Sequence, residues 1–227
     1  MNAEQLEAKE RISKDRTRTN LFRKSEQYML SLLCTLIPKW MTPNVLTAIG
    51  FIGSFIILAA FILARDNRYI LSIAVLGFAI QWFGDSLDGR IAYYRNTPRK
   101  WFGFTLDMTM DWLSTIIIGI GFFFYLPEWY RIFVFTFITG YGWTMIIALL
   151  KYQVTGKYQI DSGLLGPTEL RIILCLIIVG EVVFPGFMKA FTLIANAVIY
   201  IMNSVDFYQL LQLGNKRDEQ ENETITQ

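Results

Sequence analysis

Long apolar runs broken by short polar stretches dominate the pattern of this chain. They cover about 44–64, 69–90, 104–126, 132–150, 168–184 and 187–205. A helix rises 1.5 Å per residue, so about 20 apolar residues cross the roughly 30 Å hydrocarbon core of a bilayer. The pattern predicts six transmembrane helices. The breaks carry helix-stopping and helix-starting residues. Pro38 ends the segment before the first span, and Thr42-Pro43-Asn44 opens that span with Thr42 as N-cap and Pro43 in the first turn. Arg65 to Arg68 form a turn, Pro98 interrupts the loop RNTPRKW, and Pro127 to Tyr130 form the next turn. A longer polar loop, KYQVTGKYQIDSGLLGP, leads to the fifth span, and Pro185-Gly186 joins the last two.

Residues 21–40 follow another pattern. Leu21, Phe22, Tyr28, Met29, Leu32, Leu33, Leu36 and Ile37 recur at helical spacing opposite Arg23, Lys24, Glu26 and Gln27. That predicts an amphipathic helix lying in the membrane interface, although a helix packed on protein without lipid contact would show the same pattern. The stretch from Met1 to Arg18 is charged and lacks apolar periodicity, so it is expected to be solvent-exposed and carries no chemistry. The tail NKRDEQENETITQ is polar and aperiodic, which predicts disorder. The expected fold is all-α: a polytopic membrane protein with six transmembrane helices preceded by an N-terminal amphipathic interfacial helix. The expected units are an interfacial segment at 1–40, a six-helix transmembrane domain at 41–206 and a polar tail at 207–227.

Composition agrees. Of 227 residues 53% are hydrophobic and 18% charged, more long apolar segments than a water-soluble domain can bury. The net charge of +2 says little, but its distribution says more. Placing both termini and the loops after the second and fourth spans on one side leaves the other side only Arg65, Arg68, Arg131 and Lys189 of the 21 Lys and Arg. The positive-inside rule then predicts cytoplasmic termini. The polar, basic N-terminus lacks the early apolar core of a signal peptide. Histidine is absent, which removes Ser-His-Asp chemistry and His-ligated zinc and leaves carboxylate, lysine, tyrosine or cysteine as general base. Cys34 and Cys175 lie in unrelated segments and imply neither a disulfide framework nor a CxxC metal site.

Four aspartates stand where apolar runs meet polar breaks. Asp85 and Asp88 close the second span, and Asp107 and Asp111 open the third. At about 100° per residue, i,i+3 and i,i+4 spacing puts each pair on one helix face. Antiparallel neighbours can bring all four together, at the cytoplasmic end under the charge count above. Four carboxylates at a bilayer edge need compensation. One or two hard divalent cations supply it, and their open coordination positions bind phosphate.

The segment D85-x2-D88-G89-x2-A92 … G103-x3-D107-x3-D111 resembles the signature of the CDP-alcohol phosphotransferase (CDP-alcohol phosphatidyltransferase) family, D-x2-D-G-x2-A-R-x8-G-x3-D-x3-D. Seven of eight fixed positions match; Tyr93 stands where the family has arginine, and the spacer before Gly103 is one residue longer. The resemblance implies a membrane enzyme of phospholipid synthesis that transfers a phosphoryl-linked group from a CDP-alcohol to an acceptor hydroxyl and releases CMP. It implies Asp85, Asp88 and Asp107 as ligands of Mg²⁺ or Mn²⁺, with two ions expected. Asp111 becomes the general base and a further ligand. IPKWMTPN resembles the approach to the family's first span, which implies that Asn44 and Thr47 bind the cytidine nucleotide. Alone, they would be a cap and a helix-interior threonine. Arg95 is expected to replace the missing motif cation.

Gly89, Ala92 and Gly103 would let nucleotide and phosphate approach the backbone, although small residues also simply let membrane helices pack. Arg95, Arg99 and Lys100 suit a phosphate grip, and equally a cytoplasmic charge marker on anionic lipid. Glu169 and Arg171, in GPTELR, resemble an acidic-basic segment of the family and imply an acceptor contact; the alternative is a helix cap with a snorkelling arginine. Glu181, Lys189 and Asp206 read as interfacial.

The resemblance favours CDP-diacylglycerol as donor to a polar alcohol. CDP-choline or CDP-ethanolamine transfer to a lipid is the alternative. A bacterial inner-membrane homodimer with a cytoplasmic site and no nucleic-acid partner is implied. Two other classes stay open: an ion-coupled transporter, for which midplane carboxylates and repeat symmetry would speak, and a catalytically silent relative.

Overall fold

The computed structural model describes residues 23–156 and 167–225. Among them every regular element is helical. Helix α1 covers Arg23–Leu36, α2 Pro43–Leu63, α3 Leu71–Tyr94, α4 Lys100–Tyr125, α5 Glu128–Thr155, α6 Pro167–Val183 and α7 Phe187–Ile225, with a short 3-10 turn at Arg68–Ile70 leading into α3. Helices α2, α3 with that turn, α4, α5 and α7 are long and apolar enough to cross a bilayer. This is the architecture of an integral membrane protein. The 17 residues of α6 fall slightly short of that length. The charged stretch to Arg18, Leu21 and Phe22, the side chains of Arg23 and Lys24, and Gly166 lie outside the described residues and side chains.

The boundaries follow local chemistry. Thr42 caps α2, its side-chain oxygen accepting the Val45 N–H at 3.3 Å, and Pro43 takes the first turn, where its missing N–H costs nothing. Asn67 caps the 3-10 turn through the Tyr69 N–H. Gly156 ends α5 in the left-handed region at φ 67° and donates its N–H to the Tyr152 carbonyl.

The six long helices close into a ring in the order α2, α3, α6, α7, α5, α4, with α1 laid against α3. Helices α2 and α3 approach to backbone contact. A Cβ on Gly53 would lie 2.7 Å from the Gln81 N and the Gly77 O, and one on Gly84 would collide with Gly50 and the Leu46 carbonyl. Gly121 brings α4 close to α2 as well: a Cβ there would lie 2.9 Å from the Leu58 Cα. In apolar lipid no hydrophobic force drives helices together, and such small-residue contacts are how membrane helices gain packing energy. Helices α5 and α7 use a polar ladder instead. Thr136 and Thr144 donate to the Asn196 and Asn203 side-chain oxygens, both at 2.8 Å, and the two Asn amides donate to the Phe133 and Gly140 carbonyls.

Ile57, Phe61, Leu71, Phe78, Val134, Ile178 and Met188 fill the half of the ring away from the aspartates. A smaller cluster of Leu30, Cys34, Leu46, Leu87 and Ile91 fixes α1 at the other end.

Three expectations change. Glu26 is buried beside Leu30 and Cys34 rather than on a polar face, while Tyr28, Met29, Leu32 and Leu36 are exposed. Helix α1 therefore turns its polar carboxylate inward, where Thr168 and Arg90 receive it, and keeps an apolar face outside. Arg90, expected to close the second span, lies a turn inside α3, buried, and donates to the Ser86 carbonyl. The tail predicted to be disordered continues α7 as helix to Ile225. Once the span has nucleated the helix, Lys, Arg, Glu and Gln extend it at little cost. Arg217 anchors the extension by donating to the Gln153 and Val154 carbonyls at 2.8 and 3.1 Å, satisfying the end of α5.

Candidate active site

The contact between Gly50 and Gly84 sets the site. A Cβ on Gly50 would lie 3.2 Å from the Asp85 N, so the α2 backbone passes directly beside the first aspartate. One turn earlier in α2, the Thr47 hydroxyl donates to Asp88 Oδ2 at 2.7 Å while its oxygen also lies 3.2 Å from the Pro43 carbonyl. Below it, Gln81 donates to the Ser54 hydroxyl at 3.1 Å, so the polar pair inside the apolar contact is satisfied.

Helix α4 then brings the second aspartate pair across. One oxygen from each of Asp85, Asp107 and Asp111 falls within 4.8 Å of the others, and all three residues are partly buried. Asp88 stands outside this group of three, turned toward Thr47 and the Gly89 N–H. Asp85, Asp107 and Asp111 line a pocket with Thr47, Gly50, Met110 and Ser114. Arg171 reaches in from α6 and bonds Asp85 Oδ2 at 2.6 Å. Three carboxylates against one guanidinium leave two negative charges, the amount a divalent cation cancels. The donors are all oxygen, which suits a hard ion such as Mg²⁺ or Mn²⁺.

The remaining residues singled out in the sequence divide. Asn44 and Arg99 meet at 2.6 Å, and the Arg99 guanidinium lies 4.1 Å from the Phe102 ring centroid. They close the α2 and α4 starts over the aspartate end. Lys100 leans on Trp101, its Nζ 5.8 Å from the ring centroid. Gly103 faces open space: a Cβ there would meet nothing within 4 Å, so packing between the described helices does not account for this glycine. Ala92 is buried in α3. Arg95 already has partners. Its guanidinium donates to the Ile37, Pro38, Lys39 and Met41 carbonyls, at 2.6 Å for Met41, and ties the α1–α2 connector to the end of α3. Phosphate would have to compete with these bonds. Glu169 is buried in the first turn of α6. Glu181, read as interfacial, is a buried structural cap that accepts from the Gly186 and Met188 N–H groups and from the Tyr125 hydroxyl.

Sequence reading missed Gly50 and Gly84, which set the distance between α2 and Asp85, and Ser114, one turn beyond Asp111 in the pocket wall. The signal was present: glycines three to seven apart within apolar runs mark backbone contact between membrane helices. It also missed that Arg171 would pair with an aspartate, which only the antiparallel neighbourhood of α3 and α6 reveals.

The profile of the CDP-alcohol phosphatidyltransferase family matches residues 40–204, from the connector before α2 into α7. The chain belongs to that family. It is a phosphotransferase, in a family that transfers from CDP-alcohols to alcohol acceptors and generally uses a divalent metal. Among curated proteins, none matches the sequence significantly. The family match encloses all four aspartates, and the three that converge are compatible with the metal use of CDP-alcohol phosphatidyltransferases.

Proposed function

We propose that this chain transfers the phosphoryl-linked alcohol of a CDP-alcohol, favoured as CDP-diacylglycerol, to the hydroxyl of a polar acceptor, releasing CMP. The observation that carries the reading is the convergence of Asp85, Asp107 and Asp111 beside the Thr47–Asp88 bond. Asp85, Asp107 and Asp111, with Asp88 adjoining, would hold Mg²⁺ or Mn²⁺. Bound there, the metal supplies electrostatic activation of the attacked phosphorus and stabilises the departing CMP. Asp111 sits one turn deeper than Asp107 on the same face of α4, and it accepts the proton of the attacking hydroxyl. Thr47 and Asn44 bind the nucleotide, Gly89, Ala92 and Gly103 leave it room, and Arg99 and Lys100 neutralise its phosphates. Glu169 and Arg171 face the acceptor, whose polar character a guanidinium beside the carboxylates suits.

In the same reading α6 is the fifth of six spans, residues 41–206 are the catalytic domain, and 207–227 extend it as a polar tail. Helix α1 lies in the interface with Tyr28, Met29, Leu32 and Leu36 toward lipid. Both termini and the site face the cytoplasm, and two copies form the working unit. Transfer from CDP-choline or CDP-ethanolamine to a lipid acceptor is the alternative within the family.

The decisive experiment incubates the purified chain in lipid with labelled CDP-alcohols, candidate acceptors and Mg²⁺, and identifies products by mass spectrometry. The reading expects CMP release with one donor and its loss in Asp111→Asn. No CMP release from any donor, with Asp111→Asn indistinguishable from the parent, defeats it.

A further inference from the structure

Two charged rungs cross the face where α3 meets α6. The helices run antiparallel there, because α3 ends and α6 begins at the carboxylate end of the bundle. The inner rung is Asp85 with Arg171, at 2.6 Å. The outer rung joins three helices: Arg90 of α3 lies 3.7 Å from Glu26 of α1, and Glu26 accepts the Thr168 hydroxyl of α6 at 3.1 Å. Asp85 and Arg90 are separated by about 7.5 Å of helix rise and Thr168 and Arg171 by about 4.5 Å, so the rungs stack in matching order on both helices.

The outer rung is almost closed to solvent, with 8% of the Arg90 and 4% of the Glu26 side chain exposed. A buried ion pair contributes little to stability, because desolvation cancels most of its attraction; its best-attested use is to fix register. Here it fixes the depth of α6 against α3. That depth matters to one contact above all, because Arg171 lies a single turn beyond Thr168. A slip of one turn, about 5.4 Å, would take the guanidinium off Asp85 altogether.

We propose that Glu26, Arg90 and Thr168 form a positioning unit that holds α6 at the depth where Arg171 bonds Asp85, and so sets how strongly the carboxylate cluster takes up a divalent cation. The inference rests on the metal-binding part of the function proposed above. Arg171 cancels one of three negative charges and occupies an oxygen of Asp85. Releasing it leaves a more negative cluster, and the cluster then binds a cation more tightly.

Mn²⁺ alone, titrated into the full chain in detergent and followed by the electron paramagnetic resonance of the free ion, tests this without substrate. Arg171→Gln is expected to bind Mn²⁺ on the order of tenfold more tightly than the parent. Glu26→Gln and Thr168→Val are each expected to tighten binding about threefold or more, and neither to add anything in the Arg171→Gln background. Thr168→Val keeps shape and charge, so it serves where Glu26→Gln fails to fold. General loosening of the bundle would not tighten metal binding, nor would its effect vanish when Arg171 is gone. Parental or weaker affinity in both variants, or full additivity with Arg171→Gln, overturns the positioning unit while the proposed function stands. A parent that takes up no Mn²⁺ overturns both.

Discussion

Thr47 on α2 donates its hydroxyl hydrogen to Asp88 on α3 at 2.7 Å, 41 residues away in sequence. The bond spans the contact at which the two helices touch backbone to backbone, and it aims a motif carboxylate that does not join the three-aspartate cluster. A hydrogen bond to a charged group contributes about 1.5–3 kcal/mol. Thr47→Val is therefore expected to lower kcat/KM for the CDP-alcohol donor by roughly tenfold to a hundredfold, with Thr47→Ser close to the parent. Steady-state CMP release across donor concentrations checks this. Parental kinetics in Thr47→Val would show that the bond has no part in turnover.

Gly84 and Gly103 make opposite predictions from the same substitution. A Cβ on Gly84 strikes the Gly50 backbone and the Leu46 carbonyl, neither of which can rotate away. Gly84→Ala is expected to destabilise the bundle by about 1–3 kcal/mol or more and to displace Asp85 with it. A Cβ on Gly103 meets nothing, so Gly103→Ala is expected to leave stability unchanged or raise it by up to about 1 kcal/mol. Under the proposed function Gly103→Ala nonetheless raises the KM for the donor. Thermal unfolding in detergent beside donor kinetics separates the two effects.

The long apolar runs made the helices legible, because length and hydropathy alone decide what can span a bilayer, and α2 to α5 begin and end within a few residues of the predicted spans. The aspartates were legible because their i,i+3 and i,i+4 spacing and the family signature coincide. What the sequence did not carry was the third dimension. Glu26 looked like part of a polar surface, since nothing in a single helix says that Arg90 and Thr168 will meet it. The sequence offered Arg95 as a phosphate cation and could not show that four carbonyls of the α1–α2 connector accept from its guanidinium. The tail looked disordered because it has no apolar face, but its helix needs only the preceding span and the Arg217 contact to α5.

Metal removal gives the most direct reading of the three-carboxylate cluster. Chelation of divalent ions is expected to abolish CMP release, and added Mg²⁺ or Mn²⁺ to restore it, whereas Ca²⁺ is expected to restore less because its longer bonds suit a wider site. Asp85→Asn and Asp107→Asn are each expected to weaken Mn²⁺ binding at least tenfold, since removing a charged ligand weakens the site more than altering a supporting contact. Turnover that survives exhaustive chelation would remove metal from the mechanism.

The Asn196 rung of the ladder between α5 and α7 is expected to hold the ring together without touching the chemistry. Asn196→Leu removes its two interhelical bonds, to Thr136 and to the Phe133 carbonyl, along with its bond to the Thr192 carbonyl within α7. Each interhelical bond of this kind contributes about 0.6–2 kcal/mol in a membrane. Unfolding by denaturing detergent should show that loss while the activity of the folded fraction stays at the parental level. A large fall in activity per folded molecule would mean that the far side of the ring is coupled to the carboxylates.

Cys34 reports whether α1 stays docked. It is buried among Leu30, Leu46, Leu87 and Ile91, and burial pushes its thiol from 9.0 up to about 11, against the pull of the Arg90 and Arg95 charges. The sign follows from the proton. The folded chain keeps the thiol neutral to about pH 11, whereas the unfolded chain ionises it near 9.0. Docking is thus fully supported below about pH 9 and weakens as pH rises through about 11. Alkylation needs the thiolate, and a two-unit rise cuts its fraction about 100-fold at pH 8 before burial is counted. Peptide mass spectrometry after maleimide treatment at pH 8 should therefore find Cys34 labelled at least about 100-fold more slowly in the folded protein than in denaturing detergent. Stability of the parent should fall between pH 9 and 10.5 more steeply than that of Cys34→Ser, which has no thiol to ionise. Equal labelling rates in the two states would show that α1 leaves α3 freely, and the Glu26–Arg90 contact could then fix nothing.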